Sequence, residues 1–283
     1  MILTKKRCNM IESRSKRRAR LVAVYKDTMA MIEESRELTS AVEKSKSGTK
    51  FYSAEPMERP NVDCSRKTVV TVTENRTFQA AVQLKARHPD KRIAVLNFAS
   101  AVSPGGGVTS GSSAQEESLC RCSTLYPLLN REELWDSYYN CNRVKRNGLH
   151  TDACIYTPGV KIIKSDTDHP ERLPEGEWTD VDVITCAAPD LNHIFSISDE
   201  ELLQLHLNRG RKILNVALEN GVDCIVLGAF GCGAFMNDPH VVAKAYAQLM
   251  EEYRGSFDEV EFAIFYWGKE VENYETFKKT LGC

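Results

Sequence analysis

Two glutamates placed just beyond a run of glycines are the residues of this sequence best suited to chemistry. Gly105-Gly106-Gly107 is followed, after seven residues, by Gln115-Glu116-Glu117. Carboxylates placed beside a ligand-binding loop can serve general acid and base catalysis. Consecutive glycines let a ligand approach the backbone and let amide N–H groups converge on an anion. Glu116 and Glu117 are neighbours in the chain, so on a helix their side chains diverge by about 100°. That separation disfavours an opposed acid and base and favours one carboxylate doing two jobs in turn. The simplest alternative gives both residues only to the helix: Ser113 as N-cap with Glu116 three positions on matches a capping box. Acidic residues in a first turn stabilise it by roughly 0.3–1 kcal/mol each.

A second glycine loop runs from Gly228 through Gly231-Cys232-Gly233-Ala234-Phe235 to Asp238-Pro239. Asp238 and Pro239 suit an N-cap and a first helical position. Neither loop is a standard nucleotide motif. Gly106 and Gly111 have the Walker A spacing, but Ser112 stands where the lysine belongs. Gly231-Cys232-Gly233 is followed by Met236 where a dinucleotide fold needs its third glycine.

The elements that must carry these loops are legible as alternating periods. Strand-like runs are 68–72, 92–98, 153–156, 181–186, 224–229 and 260–266; helix-like runs are 77–87, 114–125, 132–141, 199–220, 239–254 and 269–281. One long helical stretch is expected over 13–46, an irregular segment over 47–66 and an exposed loop over 164–178. Alternation of this kind predicts an α/β fold with helices on both faces of a largely parallel sheet. Both glycine loops then follow strands, at the carboxyl ends where ligands bind. Two such loops facing one crevice suit an anionic ligand.

Composition narrows the setting. The chain has 283 residues, 42% hydrophobic and 27% charged, with net charge −2. No global field attracts nucleic acid, and direct nucleic-acid binding is not expected. Lys5, Lys6, Arg7, Arg14, Lys16, Arg17, Arg18 and Arg20 concentrate positive charge at the start. Those residues read as a nuclear signal, a polyanion contact or a solvated helix start. No apolar run approaches the ~18 residues of a membrane span. The ten cysteines include no Cys-x-x-Cys pair and the six histidines are scattered, so no metal site and no cofactor are expected. Several cysteines sit in apolar strands as small hydrophobes, and no signal peptide is visible. An intracellular location, cytoplasmic or nuclear, is the expectation.

The combination of the triple glycine with Gln115-Glu116-Glu117 resembles the poly(ADP-ribose) glycohydrolases. The flanks Asn97-Phe98-Ala99-Ser100-Ala101 and Ser118-Leu119-Cys120-Arg121-Cys122-Ser123-Thr124-Leu125-Tyr126 are similar to the bacterial-type branch of that family. So are Thr185-Cys186-Ala187-Ala188-Pro189-Asp190 and Gly228 through Pro239, which extends the resemblance over roughly residues 15–280. It implies a macrodomain-like three-layer α/β/α core with a mixed, mostly parallel sheet. The core is expected at 67–283, with 1–66 as a helical extension packed on it in a single structural unit.

The implied substrate is the ADP-ribose polymer or an ADP-ribosylated protein, cut mainly from the free end, with ADP-ribose as product. The resemblance assigns the acid–base role to Glu117 and the holding of ribose hydroxyls to Glu116. It gives substrate contacts to Asn97, Gly105, Gly106, Gly107, Val108, Gln115, Gly231, Cys232, Gly233, Ala234 and Phe235. For Phe235, order at the terminal ribose and simple core packing both remain open. Two other functions are compatible with the motifs: a non-catalytic reader of ADP-ribose, and a hydrolase of mono-ADP-ribosylated targets or small ADP-ribose esters.

Overall fold

The computed structural model describes residues 12–282 apart from 63, 146 and 195. The basic residues Lys5, Lys6 and Arg7 lie outside the described residues.

The apolar run Ile93-Ala94-Val95-Leu96-Asn97-Phe98 forms β3 (Ile93–Phe98), buried along most of its length. A strand covered on both faces reads as a continuous hydrophobic run. Around it lie β1 (Lys50–Tyr52), β2 (Val69–Thr73), β4 (Cys154–Ile162), β5 (Thr179–Cys186), β6 (Cys224–Leu227) and β7 (Glu259–Ala263). Together they make a seven-stranded sheet in the order β1-β4-β5-β3-β6-β7-β2. The β5-β3-β6-β7-β2 block is parallel, while β4 is antiparallel to both β5 and β1. The sheet is therefore mixed and mostly parallel.

Side chains alternate between two cores. Ala94, Leu96, Ile184, Cys186, Ile225 and Leu227 face one of them. There they pack against α8 (Asp199–Glu219), α9 (Pro239–Glu252) and α10 (Glu272–Leu281). Ile93, Val95, Val181, Val183, Cys224 and Val226 face the other. That side is covered by α3 (Thr77–Arg87), α4 (Gln115–Cys122) and α5 (Leu125–Leu129). The chain is thus a three-layer α/β/α sandwich. Adjacent strands β3 and β6 send their chains to opposite faces, β3 to α4 and β6 to α9. That divergence opens a crevice at their carboxyl ends.

Several elements differ from the sequence reading. The helix expected over 13–46 is two, α1 (Arg14–Glu34) and α2 (Arg36–Gly48). Ser35 sits between them in extended conformation, ending α1 through its N–H on the Met31 carbonyl and capping α2 through its hydroxyl. Residues 47–66 are not wholly irregular, because β1 pairs with β4. Helix 132–141 begins as α6 (Glu132–Leu134), passes through a π-helical turn at Trp135–Tyr139 and continues as α7 (Asn140–Lys145).

Nor is 164–178 simply an exposed loop, since Lys164 and Asp166 are buried. Lys164 Nζ donates to the Val24 carbonyl at 2.8 Å and pairs with Asp27, which ties the loop to α1. Asp166 accepts from the Phe78 N–H at 3.2 Å and the Ser118 hydroxyl at 2.7 Å. It thereby satisfies a free donor in the first turn of α3, where no helical partner exists. No helix among the described residues is long and apolar enough to cross a membrane.

Candidate active site

After β3 the chain turns back twice. Gly106 N–H donates to the Ser103 carbonyl at 3.0 Å and Val108 N–H to Gly105 at 3.1 Å. Gly105 and Gly106 hold φ of +65° and +56°, a region where a side chain is strained. At Gly106 space is as restrictive as angle. A Cβ there would lie 2.6 Å from Glu117 Oε1 and 3.1 Å from Glu116 Oε2. The glycine is therefore the wall against which both carboxylates rest.

The first turn of α4 is fixed by long-range bonds. Gln115 Oε1 accepts from the Phe98 N–H at 2.9 Å, and its amide donates to the Leu96 carbonyl at 2.8 Å and the Thr77 hydroxyl at 3.0 Å. One side chain thus fastens α4 to the end of β3 and the start of α3. Glu116 Oε2 accepts from the Ser100 N–H at 2.7 Å, and Oε1 from the Asn97 amide at 3.3 Å. Glu117 Oε1 accepts from the Gly107 N–H at 3.0 Å, while buried Oε2 meets no protein donor.

The capping box expected from Ser113 does not form. Ala114 occupies the N-cap position without a side-chain bond, and Glu116 turns inward to Ser100 rather than back to Ser113.

Burial is the main influence on Glu116. It raises the carboxyl to about 8, with the charge of Glu117 adding to the effect and the bonds from Ser100, Asn97 and Gly105 opposing it. Near neutral pH Glu116 therefore carries a proton in the free chain.

Loop two is held from within by Asn237, which is 2% exposed. Its amide donates to the carbonyls of Pro189, Gly231 and Phe235 at 2.7, 3.1 and 3.2 Å. Its Oδ1 lies 2.8 Å from His206 Nε2. Because Oδ1 can only accept, Nε2 carries the hydrogen. Burial lowers His206 to about 4, so the ring is neutral at that bond. Asp238 and Pro239 do start α9, with the Asp238 carboxylate accepting from the His240 N–H at 2.7 Å.

The two loops face one cleft of about 450 Å³. Gly106, Gln115, Glu116 and Glu117 line one side; Gly231, Gly233, Ala234 and Phe235 line the other. Of the other residues expected to touch substrate, Gly107 and Cys232 are half-buried in the two loops and Gly105 is buried in the first. Val108 is fully buried in the core beneath α4, so it offers no surface to a ligand. Asn97 is also fully buried, with its amide on Glu116 and on the Thr185 hydroxyl at 3.2 Å. Its position makes it a holder of Glu116 rather than a contact for substrate. Phe235 is half-buried, packs against the core and stands 6.0 Å from the His150 ring, so it lines the cleft and packs at once.

The far rim was not anticipated. Phe265 and Trp267, just past β7, are 40% and 51% exposed and meet edge to face at 5.4 Å. The Arg76 guanidinium lies 4.0 Å over Phe265 and pairs with Asp168. Their sequence signal was available: aromatic residues directly after a strand, at the end where loops bind ligands.

Among the described residues no group of three or more His, Cys, Asp or Glu is placed to hold a metal ion. The arrangement offers two glycine loops facing one cleft, an aromatic and guanidinium surface for a flat ring, and a carboxylate oxygen that no protein donor occupies. An α/β cleft with those features is suited to acid–base chemistry on a ligand that carries a flat ring.

Comparison with known proteins is specific. Residues 21–165 match the family described as microbial-type PARG, catalytic domain. The fold superposes on poly(ADP-ribose) glycohydrolase from Thermomonospora curvata with a TM-score of 0.84 at 31% identity, over 93% of this chain and all of that one. The same enzyme bound to the inhibitor ADP-HPD gives 0.81 at 32% identity, over 93% of this chain and 99% of that one. Poly(ADP-ribose) glycohydrolase from Deinococcus radiodurans in complex with ADP-ribose gives 0.74 at 35% identity, over 85% of this chain and 96% of that one. No curated protein sequence matches this chain. The chain belongs to the microbial-type poly(ADP-ribose) glycohydrolase family.

Proposed function

We propose that this poly(ADP-ribose) glycohydrolase removes terminal ADP-ribose units from the polymer, with Glu117 as the residue that moves the proton. The observation that carries the assignment is the unequal engagement of the two carboxylates. Both oxygens of Glu116 are taken by protein donors, whereas Glu117 keeps Oε2 without one. Glu117 protonates the departing 2′-oxygen of the preceding unit as the bond to the anomeric carbon breaks. The oxocarbenium-like sugar then takes water, and Glu117 accepts the water's proton. The sum is one water added across one ribose–ribose bond. Glu116 holds the pair's proton in the free chain and passes it to Glu117 as the sugar binds, so that Glu117 starts as the acid while Glu116, now a carboxylate, accepts the ribose hydroxyls.

A cleft of about 450 Å³ suits one nucleotide-sugar unit, which supports release of single units from an end. The glycine loops hold the diphosphate and so place the sugar, making binding remote from the bond serve the reaction. Phe265, Trp267 and Arg76 provide a stacking surface for the base. The described cysteines are free thiols, which supports a reducing, intracellular setting.

The sign of the pH dependence follows from Glu116. The pair must begin with a proton, and Glu116 loses its own near pH 8. Turnover per KM on polymer is expected to hold below that pH and to fall as pH rises through about 8. A profile flat from mildly acidic to strongly alkaline pH, with chemistry rate-limiting, removes the need for an acid.

Phe235→Ala separates two roles of that ring. An ordering role predicts a larger drop in kcat than in ADP-ribose affinity, with melting little changed. A lowered melting temperature with full activity per folded molecule assigns Phe235 to packing alone. Labelled polymer incubated with the wild type, with the product identified, tests the function itself.

A further inference from the structure

We propose that the basic face at the start of α1, made by Arg14, Arg17 and Arg18, carries the stretch of polymer next to the unit in the cleft. The inference rests on the function proposed above and concerns the part of the substrate that the cleft is too small to hold.

Three observations carry it. First, α1 begins at the mouth of the active site. Gly111, at the end of the first glycine loop, is pressed so close to α1 that a Cβ there would lie 2.4 Å from the Arg18 carbonyl oxygen. Arg17 itself lines the cleft with Ser113 and Glu117.

Second, positions 14, 17 and 18 fall on one side of a helix, so their guanidinium groups form a single face. Arg14 and Arg18 are exposed and Arg17 is partly buried. Third, no side-chain hydrogen bond or close ion pair holds Arg14, Arg17 or Arg18 among the described residues, and the nearby Glu12, on which the charge of Arg17 also acts, is bonded to Arg20. Their neighbours do: Arg20 is held by Glu12 at 2.8 Å and by the Asp168 carbonyl at 2.7 Å, and Arg76 is paired with Asp168. A chain with net charge −2 thus keeps a cationic face, with Glu12 as its one near counter-charge among the described residues, beside its paired carboxylates.

An ADP-ribose polymer presents a diphosphate in every unit. With the terminal unit in the cleft and its anomeric carbon at Glu117, the rest of the chain leaves from that point. A cationic face at the exit holds the next diphosphate, as basic grooves hold single-stranded polyanions through their backbone charge. Such contacts are long-range, screened by salt and indifferent to the sugar chemistry inside the cleft.

The test compares polymer with its single unit. Arg14→Glu with Arg18→Glu changes two exposed residues outside the cleft walls, and its melting temperature verifies folding. The expected result is a KM for long poly(ADP-ribose) raised roughly tenfold, from exposed charge contacts of modest individual strength. The salt dependence of kcat/KM should flatten, kcat should be unchanged, and ADP-ribose affinity should stay within about twofold. Arg14→Lys with Arg18→Lys should restore most of the loss. Adding Arg17→Ala should raise KM further.

A polymer KM within about twofold of wild type overturns the proposal, as does an equal fall in ADP-ribose affinity, which would assign the face to the terminal unit. Single-stranded DNA competing as strongly as unlabelled polymer of equal length also overturns it, making the face a general nucleic-acid surface. If the wild type releases no ADP-ribose, the function proposed above fails on its own. Filter retention of polymer by wild type and by the charge-reversed variant still decides whether the arginines bind it.

Discussion

Glu117→Gln is expected to lose roughly 10²–10⁴-fold in turnover while binding ADP-ribose within a few-fold of wild type, the usual scale for removal of a general acid–base group. The geometry explains why the change isolates chemistry. Glu117 uses one oxygen to accept the Gly107 N–H, and a glutamine keeps that acceptor. Its amide nitrogen then takes the place of Oε2, which has no protein donor to clash with. Shape, loop contact and ground-state affinity survive, but the amide cannot deliver and recover a proton. Glu116→Gln behaves differently. Both oxygens of Glu116 face donors, Ser100 N–H and the Asn97 amide, so an amide nitrogen must meet one of them. That variant should lose rate together with stability, on the order of 1–3 kcal/mol for a buried donor left facing a donor. Kinetics, ADP-ribose titration and melting on the two variants separate the roles. Equal effects at both positions, or wild-type cleavage by Glu117→Gln, would show that another residue moves the proton.

Gly106→Ala is expected to reduce turnover by about 100-fold, although alanine brings no charge and no new hydrogen bond. A displacement of about 1 Å in a catalytic group can cost that much. The added Cβ would lie 2.6 Å from Glu117 Oε1, so the carboxylate or the loop must move. Either movement disturbs the Gly107 N–H bond that aims Glu117. The positive φ adds backbone strain of about 1–2 kcal/mol, visible as a lowered melting temperature. Activity per folded molecule, with the folded fraction measured independently, distinguishes misplacement from unfolding. A folded Gly106→Ala protein working at the wild-type rate contradicts the view that Gly106 sets the position of the carboxylates.

The parts of this site readable in advance were those written in local pattern. The run into β3, the three glycines and the first turn of α4 are contiguous, and each has its own period or residue type. The parts that were missed depend on distant partners. Ser113-Ala114-Gln115-Glu116 has the spacing of a capping box, yet Glu116 is captured by Ser100, which the loop brings back from sixteen residues earlier. Asn97 is the polar residue within the apolar β3, a signal that a buried partner exists. Only the register of β3 against β5, which sets Asn97 beside Thr185, and the inward turn of Glu116 identify that partner. The Phe265 and Trp267 rim became part of the cleft through the order β3-β6-β7, which local sequence does not specify. Strand β1 is three residues long with no apolar alternation, too short for any periodic signal. The break between α1 and α2 turns on Ser35, whose hydroxyl can cap a helix or sit unnoticed inside one.

The most direct test of the account is a time course of the wild-type chain on poly(ADP-ribose), with every released product identified. The account predicts free ADP-ribose from the earliest points and a steady shortening of the polymer. Binding of ADP-ribose with no release from polymer would contradict it and leave a reader. Release only from mono-ADP-ribosylated protein, with polymer untouched, would contradict it as well.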